Sequence, residues 1–319
     1  MTAQRIGVLF PGQGSQFVGM GHDVAEAFPR ARETFREADD TLGIALSRLA
    51  WEGPDEELVL TKNAQPAILV HSLAVWRVIE ERLGGLPIAL GVGHSLGEFS
   101  AYAAAGTLSF TDAVQAVRRR GELMYASGEE RPGTMAAVIG LADEAVRATC
   151  ERASEEGSVV VPANFNSPGQ VVVSGDAKAV ERAAPLLKEA GAKRVLPLNV
   201  SGAFHSPLMG TAEAGLREHL EGVEMRAPKF PVVANASAVP VTEADEARRL
   251  LIEQLTSPVR WTESVQAMAS GGITRFLEVG PGNVLAGLLR RIDRSLSAVS
   301  VGTAEELNTF LEKGEEAWS

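Results

Sequence analysis

The segment Gly93-His94-Ser95-Leu96-Gly97 has the residue types and spacing of an activated nucleophile. A serine hydroxyl attacks a carbonyl only when its Oγ projects from the backbone and a general base can take its proton. In a G-x-S-x-G turn between a strand and a helix, the glycines make room for a strained serine. The helix that follows aims its free N–H groups and positive end at the developing oxyanion. A plain glycine-rich turn carries the same letters, but the apolar run before this one and the small-residue run after it favour the nucleophile elbow. Ser95 is therefore the candidate nucleophile. The chain offers five histidines as its base. His22 lies in a loop-like, glycine-rich stretch. His71 lies on an apolar helix that suits a hydrogen-bonded core residue, and His219 on a charged helix that suits solvation. His94 adjoins the serine, and neighbours on a turn point apart. By elimination the candidate base is His205, in Val200-Ser201-Gly202-Ala203-Phe204-His205-Ser206-Pro207. No Asp or Glu stands in an evident loop aimed at it, and no HGGG-type oxyanion segment is present, both of which count against an ordinary esterase.

The elements that must hold these groups read as a mixed α/β chain. Short apolar strands are predicted over 5–10, 88–92, 231–234, 273–279 and 298–301, and helices over 26–39, 66–83, 96–105 and 112–127. Strands alternating with helices argue for a parallel sheet covered on both faces, as in an α/β-hydrolase-like domain. The middle of the chain has a different rhythm. Strand 134–139, helix 143–152, strands 159–162 and 170–174, helix 176–190 and strand 193–198 give the order βαββαβ, the ferredoxin-like signature. The expected organisation is a small inserted domain at 131–202 and a discontinuous large domain from 1–130 and 203–319. His205 then falls where the chain returns to the large domain, beside an interdomain cleft, a favoured place for a ligand.

The 319 residues suit one large domain, or a large one with a small one. Net charge is −11, which argues against nucleic-acid binding, since that needs a basic surface. No apolar stretch approaches the roughly 20 residues that span a bilayer, so no membrane segment is expected. Met1 to Gln4 is polar, and no targeting signal is expected at either end. The single cysteine, Cys150, permits no internal disulfide and fits a reducing, cytoplasmic setting. With one cysteine and no His-x-x-x-His pair, no metal site is expected. Gly280-Pro281-Gly282 lacks the spacing of a dinucleotide fingerprint and reads as a tight strand–helix turn at the cleft.

Six segments in register resemble the malonyl-CoA:acyl carrier protein transacylases, the stand-alone relatives of polyketide-synthase acyltransferase domains. They are Phe10-Pro11-Gly12-Gln13-Gly14-Ser15-Gln16, Gly93 to Glu98, Arg120-Gly121-x-x-Met124, Asn164 to Gln170, Gly202 to Ser206, and Glu278 to Gly282. The resemblance runs from Ile6 to about Val301. It implies an acyltransferase fold and transfer of malonyl from coenzyme A to the phosphopantetheine thiol of an acyl carrier protein, by way of an ester on Ser95. His205 matches the base, and Gln254 the residue whose carbonyl orients that histidine. Gln13 and Leu96 match the oxyanion hole through their backbone N–H groups. Arg120 matches the arginine that pairs with the free carboxylate of malonate. On residue pattern alone, Arg118 to Arg120 would read as three solvated arginines on a helix. Phe204 resembles the malonyl-type pattern before the histidine, where its ring would crowd an α-methyl group.

The resemblance implies no cofactor beyond malonyl-CoA as substrate, and a monomer is the default expectation. Two other readings share the motifs. One is a trans-acting polyketide acyltransferase or proofreading acyl hydrolase of the same fold. The other is a catalytically silent binding protein, which the intact Ser95, His205 and Gln254 disfavour. Lys193 with Arg194, and Arg290 with Arg291, are candidate contacts for an acidic carrier protein.

Overall fold

The computed structural model describes residues 5–314; the polar stretch Met1 to Gln4 and the last five residues of the expected large domain lie outside them. Ten strands make two sheets: β1 (Ile6–Phe10), β2 (Ile88–Gly93), β3 (Gly133–Ile139), β4 (Val160–Ser167), β5 (Gln170–Asp176), β6 (Arg194–Pro197), β7 (Val232–Val233), β8 (Pro240–Val241), β9 (Arg275–Val279) and β10 (Ser297–Val301). The larger sheet runs β10-β9-β1-β2-β7-β8, parallel throughout except for β8. Every residue of β1 is buried. Its side chains alternate: Ile6, Val8 and Phe10 join one core, and Leu9 joins another built on Trp261 and Phe276. A continuous apolar strand of this kind belongs at the centre of a sheet covered on both faces.

The smaller sheet runs β4-β5-β3-β6 and is antiparallel throughout. With the helices Asp143–Ala153 and Ala177–Glu189 it follows the βαββαβ order. It has its own core, which includes Val138, Val146, Cys150, Val171, Val173 and Leu187. β4 joins the two bodies. Phe165 N–H donates to Val259 O at 2.9 Å, Val259 N–H donates to Ala163 O at 2.8 Å, and Thr262 Oγ1 donates to Phe165 O at 3.0 Å.

Several elements differ from the sequence pattern for physical reasons. The helix expected over 26–39 is two helices, His22–Ala27 and Pro29–Leu42. A residue before proline is pushed out of the helical region, and Phe28 is extended at φ −123°. His22 accordingly opens a helix and does not sit in a loop. The helix expected from Pro66 begins at Thr61 and runs through Pro66 to Leu83. Proline cannot donate to the carbonyl four residues back. That carbonyl, Lys62 O, accepts from Arg118 Nη1 at 3.0 Å, so the proline leaves no unmatched acceptor. The helix expected over 112–127 is longer, Phe110–Glu130, and starts where the Ser109 hydroxyl caps the Asp112 N–H. His219 is partly buried in the helix Gly210–Glu221, not solvated as its charged neighbours imply. Two short helices, Leu46–Glu52 and Asp55–Leu58, have too little periodicity to read from sequence.

The Gly280-Pro281-Gly282 turn leads from β9 into the helix Val284–Ile292. Glu278 is buried at its approach and accepts from the N–H groups of Leu285 at 2.9 Å and Ala286 at 3.0 Å. A carboxylate satisfying two first-turn donors also complements the positive end of the helix. Glu278→Ala should cost about 1–3 kcal/mol by leaving those buried donors unmatched. Urea denaturation measures it, and an unchanged midpoint would show that the turn does not depend on this cap.

Candidate active site

β1 and β2 are adjacent parallel strands, and their C-terminal ends carry Gln13 and Ser95. The turn at Ser95 is strained: the serine has φ +53°, in the left-handed region. Its glycines are required by close contact. A Cβ on Gly93 would lie 1.9 Å from the Gly97 backbone, and one on Gly97 would lie 2.2 Å from Phe10 O. Asn235, just after β7, holds the turn by accepting from Ser95 N–H at 2.7 Å and donating to Gly93 O at 2.8 Å.

His205 also has positive φ, +55°, and its side chain is buried. Its Nε2 lies 2.8 Å from Ser95 Oγ, and its Nδ1 lies 2.9 Å from the backbone carbonyl of Gln254. A carbonyl only accepts, so Nδ1 carries the proton and Nε2 presents its lone pair to the serine. Burial is the main force that lowers the His205 pKa to about 3; the nearby Arg120 charge adds to it, and the Gln254 carbonyl works against it. The imidazole is thus neutral and ready to accept a proton.

Arg120 is not a solvated helix residue. Arg119 points to solvent, but the next residue turns inward, and the Arg120 side chain is 1% exposed. Nη1 donates to Gln65 Oε1 at 2.7 Å; Nη2 donates to Ser95 Oγ at 3.0 Å and to Gln254 Oε1 at 2.8 Å. Desolvation lowers its pKa to about 10, so the guanidinium remains charged at neutral pH.

The cleft over these groups has a volume of about 470 Å³, and Ser95, His205, Gln13, Met124, Phe204 and Val284 are among its walls. The structure therefore brings together Ser95, His205, Gln254, Arg120, Gln13 and Phe204, with Leu96 buried directly after the nucleophile. His94 turns away from Ser95. It bonds Asn166 Oδ1 at 2.8 Å across to β4 and packs against Trp261. His71 is a core residue bonded to Gly302 O at 2.7 Å. Of the expected docking residues, Lys193, Arg194, Arg290 and Arg291 are all exposed. Arg291 reaches the cleft wall by donating to Gln170 Oε1 at 2.7 Å.

Sequence reasoning missed Gln65, Asn235 and the role of Glu98. Glu98 is fully buried on the helix Gly97–Ala104, and burial pushes its carboxyl up to about 7. A lone carboxylate on a helix otherwise made of small and apolar residues was the available signal. The Gln254 contribution to His205 comes from its backbone, while its side chain serves Arg120.

The profile of the acyl transferase domain family matches residues 8–313. The chain is 47% identical to the malonyl CoA-acyl carrier protein transacylase of Bacillus subtilis, over 97% of this chain and 96% of that one. It is also 47% identical to the enzyme of that name from Escherichia coli K12, over 95% and 98% of the two chains. Among solved structures, a type II PKS acyl carrier protein in complex with its malonyl-transacylase superposes with a TM-score of 0.94 at 46% identity, covering 98% of this chain and all of the other. The transacylase of Xanthomonas oryzae superposes at 0.93 and 46% identity, covering 98% and 99%. With a nucleophile elbow, a carbonyl-oriented histidine and a buried arginine in one cleft, and with relatives matched end to end at this identity, the chain belongs to the malonyl CoA-acyl carrier protein transacylase family of acyl transferases.

Proposed function

We propose that this protein transfers malonyl from malonyl-CoA to the phosphopantetheine thiol of an acyl carrier protein, for fatty acid or polyketide synthesis. The observation that carries the reading is a buried guanidinium 3.0 Å from the nucleophile, a place that suits an acyl group with its own carboxylate. His205 Nε2 takes the Ser95 proton as Oγ attacks the thioester carbonyl. The N–H groups of Gln13 and Leu96 receive the oxyanion, because the Ser95 N–H is committed to Asn235. The tetrahedral intermediate collapses, the C–S bond breaks, and the coenzyme A thiolate takes the proton from His205. In the second half the carrier thiol gives its proton to His205 and attacks the malonyl-serine ester, and Ser95 leaves with that proton. The side chains and backbone carry each step, and the reading needs no metal or cofactor. A carboxylate bound to Arg120 holds the acyl group in line for the thiol. A hydrolase for simple acyl chains would have no use for such a cation. The helices of the described residues include none long and apolar enough to cross a membrane. We place the reaction in the cytoplasm, with the protein acting as a monomer.

Ser95→Ala should abolish the malonyl adduct seen by intact mass after incubation with malonyl-CoA. His205→Ala should lose a comparable factor in turnover, and the double variant should lose little more, because the pair acts as a unit. Additive losses would rule out the dyad.

Arg120→Ala should lower the malonyl-to-acetyl ratio of kcat/KM by roughly ten- to a hundredfold, the worth of a charge-assisted bidentate pair. Arg120→Lys should recover only part of it, because an ammonium lacks the planar fork. An unchanged ratio would remove Arg120 from substrate recognition.

The depressed His205 pKa sets a pH test. An unfolded histidine binds a proton below about 6.5, whereas the folded one resists until about 3, so this group withdraws stability as pH falls through that window. The His205 ring ¹⁵N resonances should show no protonation between pH 8 and pH 5. A midpoint near 6.5 would mean that the ring is solvated in the working enzyme.

A further inference from the structure

Glu98 lies behind the reacting groups and touches none of them, yet its carboxylate joins the two residues that grip the nucleophile. Its Oε2 accepts from the Asn235 backbone N–H at 2.9 Å and from Gln254 Nε2 at 2.7 Å. Asn235 holds Ser95 N–H, and Gln254 Nε2 donates to Ser95 O at 3.0 Å. The left-handed backbone of Ser95 is thus gripped on both sides, and both grips end on one carboxylate.

A primary amide has a donor end and an acceptor end, and its neighbours decide which faces where. The Glu98 carboxylate and the Ser95 carbonyl both accept, so the NH2 of Gln254 must face them. The oxygen is then left facing Arg120, a group that only donates, at 2.8 Å. A flipped amide would set oxygen against two acceptors and NH2 against a guanidinium. Glu98 and Arg120 are therefore bridged by one polarised amide, with Gln254 fully buried between them. A residue that merely filled the helix–sheet contact could be apolar, and would leave the Asn235 and Gln254 donors unmatched.

We propose that Glu98 is a positioning residue of the acyl-transfer site: its carboxylate fixes the orientation of the Gln254 amide toward Arg120 and, through Asn235, holds the strained Ser95 turn. The proposal rests on the malonyl-transfer reading for its substrate and deepens it by naming what keeps the arginine and the nucleophile in register. Burial lifts the Glu98 carboxyl above the usual range, and the Asn235 N–H, the Gln254 amide and the Arg120 charge oppose that lift.

The test is Glu98→Met, which keeps the length and removes the oxygen that the Asn235 and Gln254 donors share, beside Glu98→Gln, which keeps an acceptor there. Malonyl-CoA turnover should fall by about tenfold or more in Glu98→Met and by less in Glu98→Gln, while KM for malonyl-CoA holds. Labelling of Ser95 by a fluorophosphonate, which needs neither coenzyme A nor a carboxylate, should slow at least severalfold. Gln254→Met keeps the carbonyl that holds His205, and combining it with Glu98→Met should add little to either loss. Unchanged turnover and labelling in Glu98→Met, a rise in KM that accounts for the whole defect, or fully additive losses would each overturn the proposal. If Glu98→Met does not fold, the double variant Glu98→Met/Arg120→Gln removes both groups that the amide bridges. Recovery of folded protein would support the bridged pair, and failure to recover would overturn it. A wild type that fluorophosphonate labels but malonyl-CoA does not acylate would sink the malonyl reading alone, since the labelling comparison still decides the role of Glu98.

Discussion

A permanent cation buried at the floor of the cleft is the constraint around which the site is arranged. Taking a guanidinium out of water costs several kcal/mol unless hydrogen bonds and an opposite charge compensate it. A carboxylate paired directly with Arg120 would compensate it fully, but would occupy the fork that a substrate carboxylate needs. Among the described residues Arg120 has no direct ion pair; its partners are two neutral amides and the nucleophile itself. The carboxyl of this network, Glu98, stands one amide away. Neutral partners leave the charge of the cation unneutralised and attractive to an anion. In the proposed reaction the contact to Ser95 Oγ would also favour the developing alkoxide.

How much of this could be read from the sequence depended on whether a role needs a particular side chain. The elbow was legible because Gly93 and Gly97 have no room for a Cβ, and composition records that. Strand β1 was legible because a strand buried on both faces must be apolar along its whole length. His205 was reached by elimination, since the alternatives had ordinary positions. Arg120 was different. In a run of three arginines only the helical phase decides which one turns inward, and one hundred degrees of rotation separates the exposed Arg119 from the buried Arg120. The hold on His205 was harder still, because a backbone carbonyl has no side-chain signature; Gln254 was found only through resemblance. Of the elements, the break at Phe28 was written in Pro29 but masked by strong helix formers on either side. The passage of a helix through Pro66 depended on Arg118, far along the chain, and no local pattern reports that.

The two sheets divide the work unequally. The larger one supplies the nucleophile, both expected oxyanion donors and Asn235 from the ends of its central strands. The smaller one supplies a wall. That wall is fixed at β4, where main-chain bonds to Val259 and the His94–Asn166 contact tie it to the elbow itself. Asn164, Asn166 and Val172 of that sheet line the cleft together with Ser95.

Ser95 and His205 both sit in a backbone region that costs about 1–3 kcal/mol each for a side chain other than glycine. They come from segments more than a hundred residues apart, and they meet from two left-handed turns. The Ser95 turn is held at its N–H by Asn235 and at its carbonyl by Gln254, and His205 is held by the Gln254 backbone. Gln254 is therefore common to both strained residues and to Arg120. The helix end that carries it thereby sets the nucleophile, the base and the cation together, and a shift at that point would move all three.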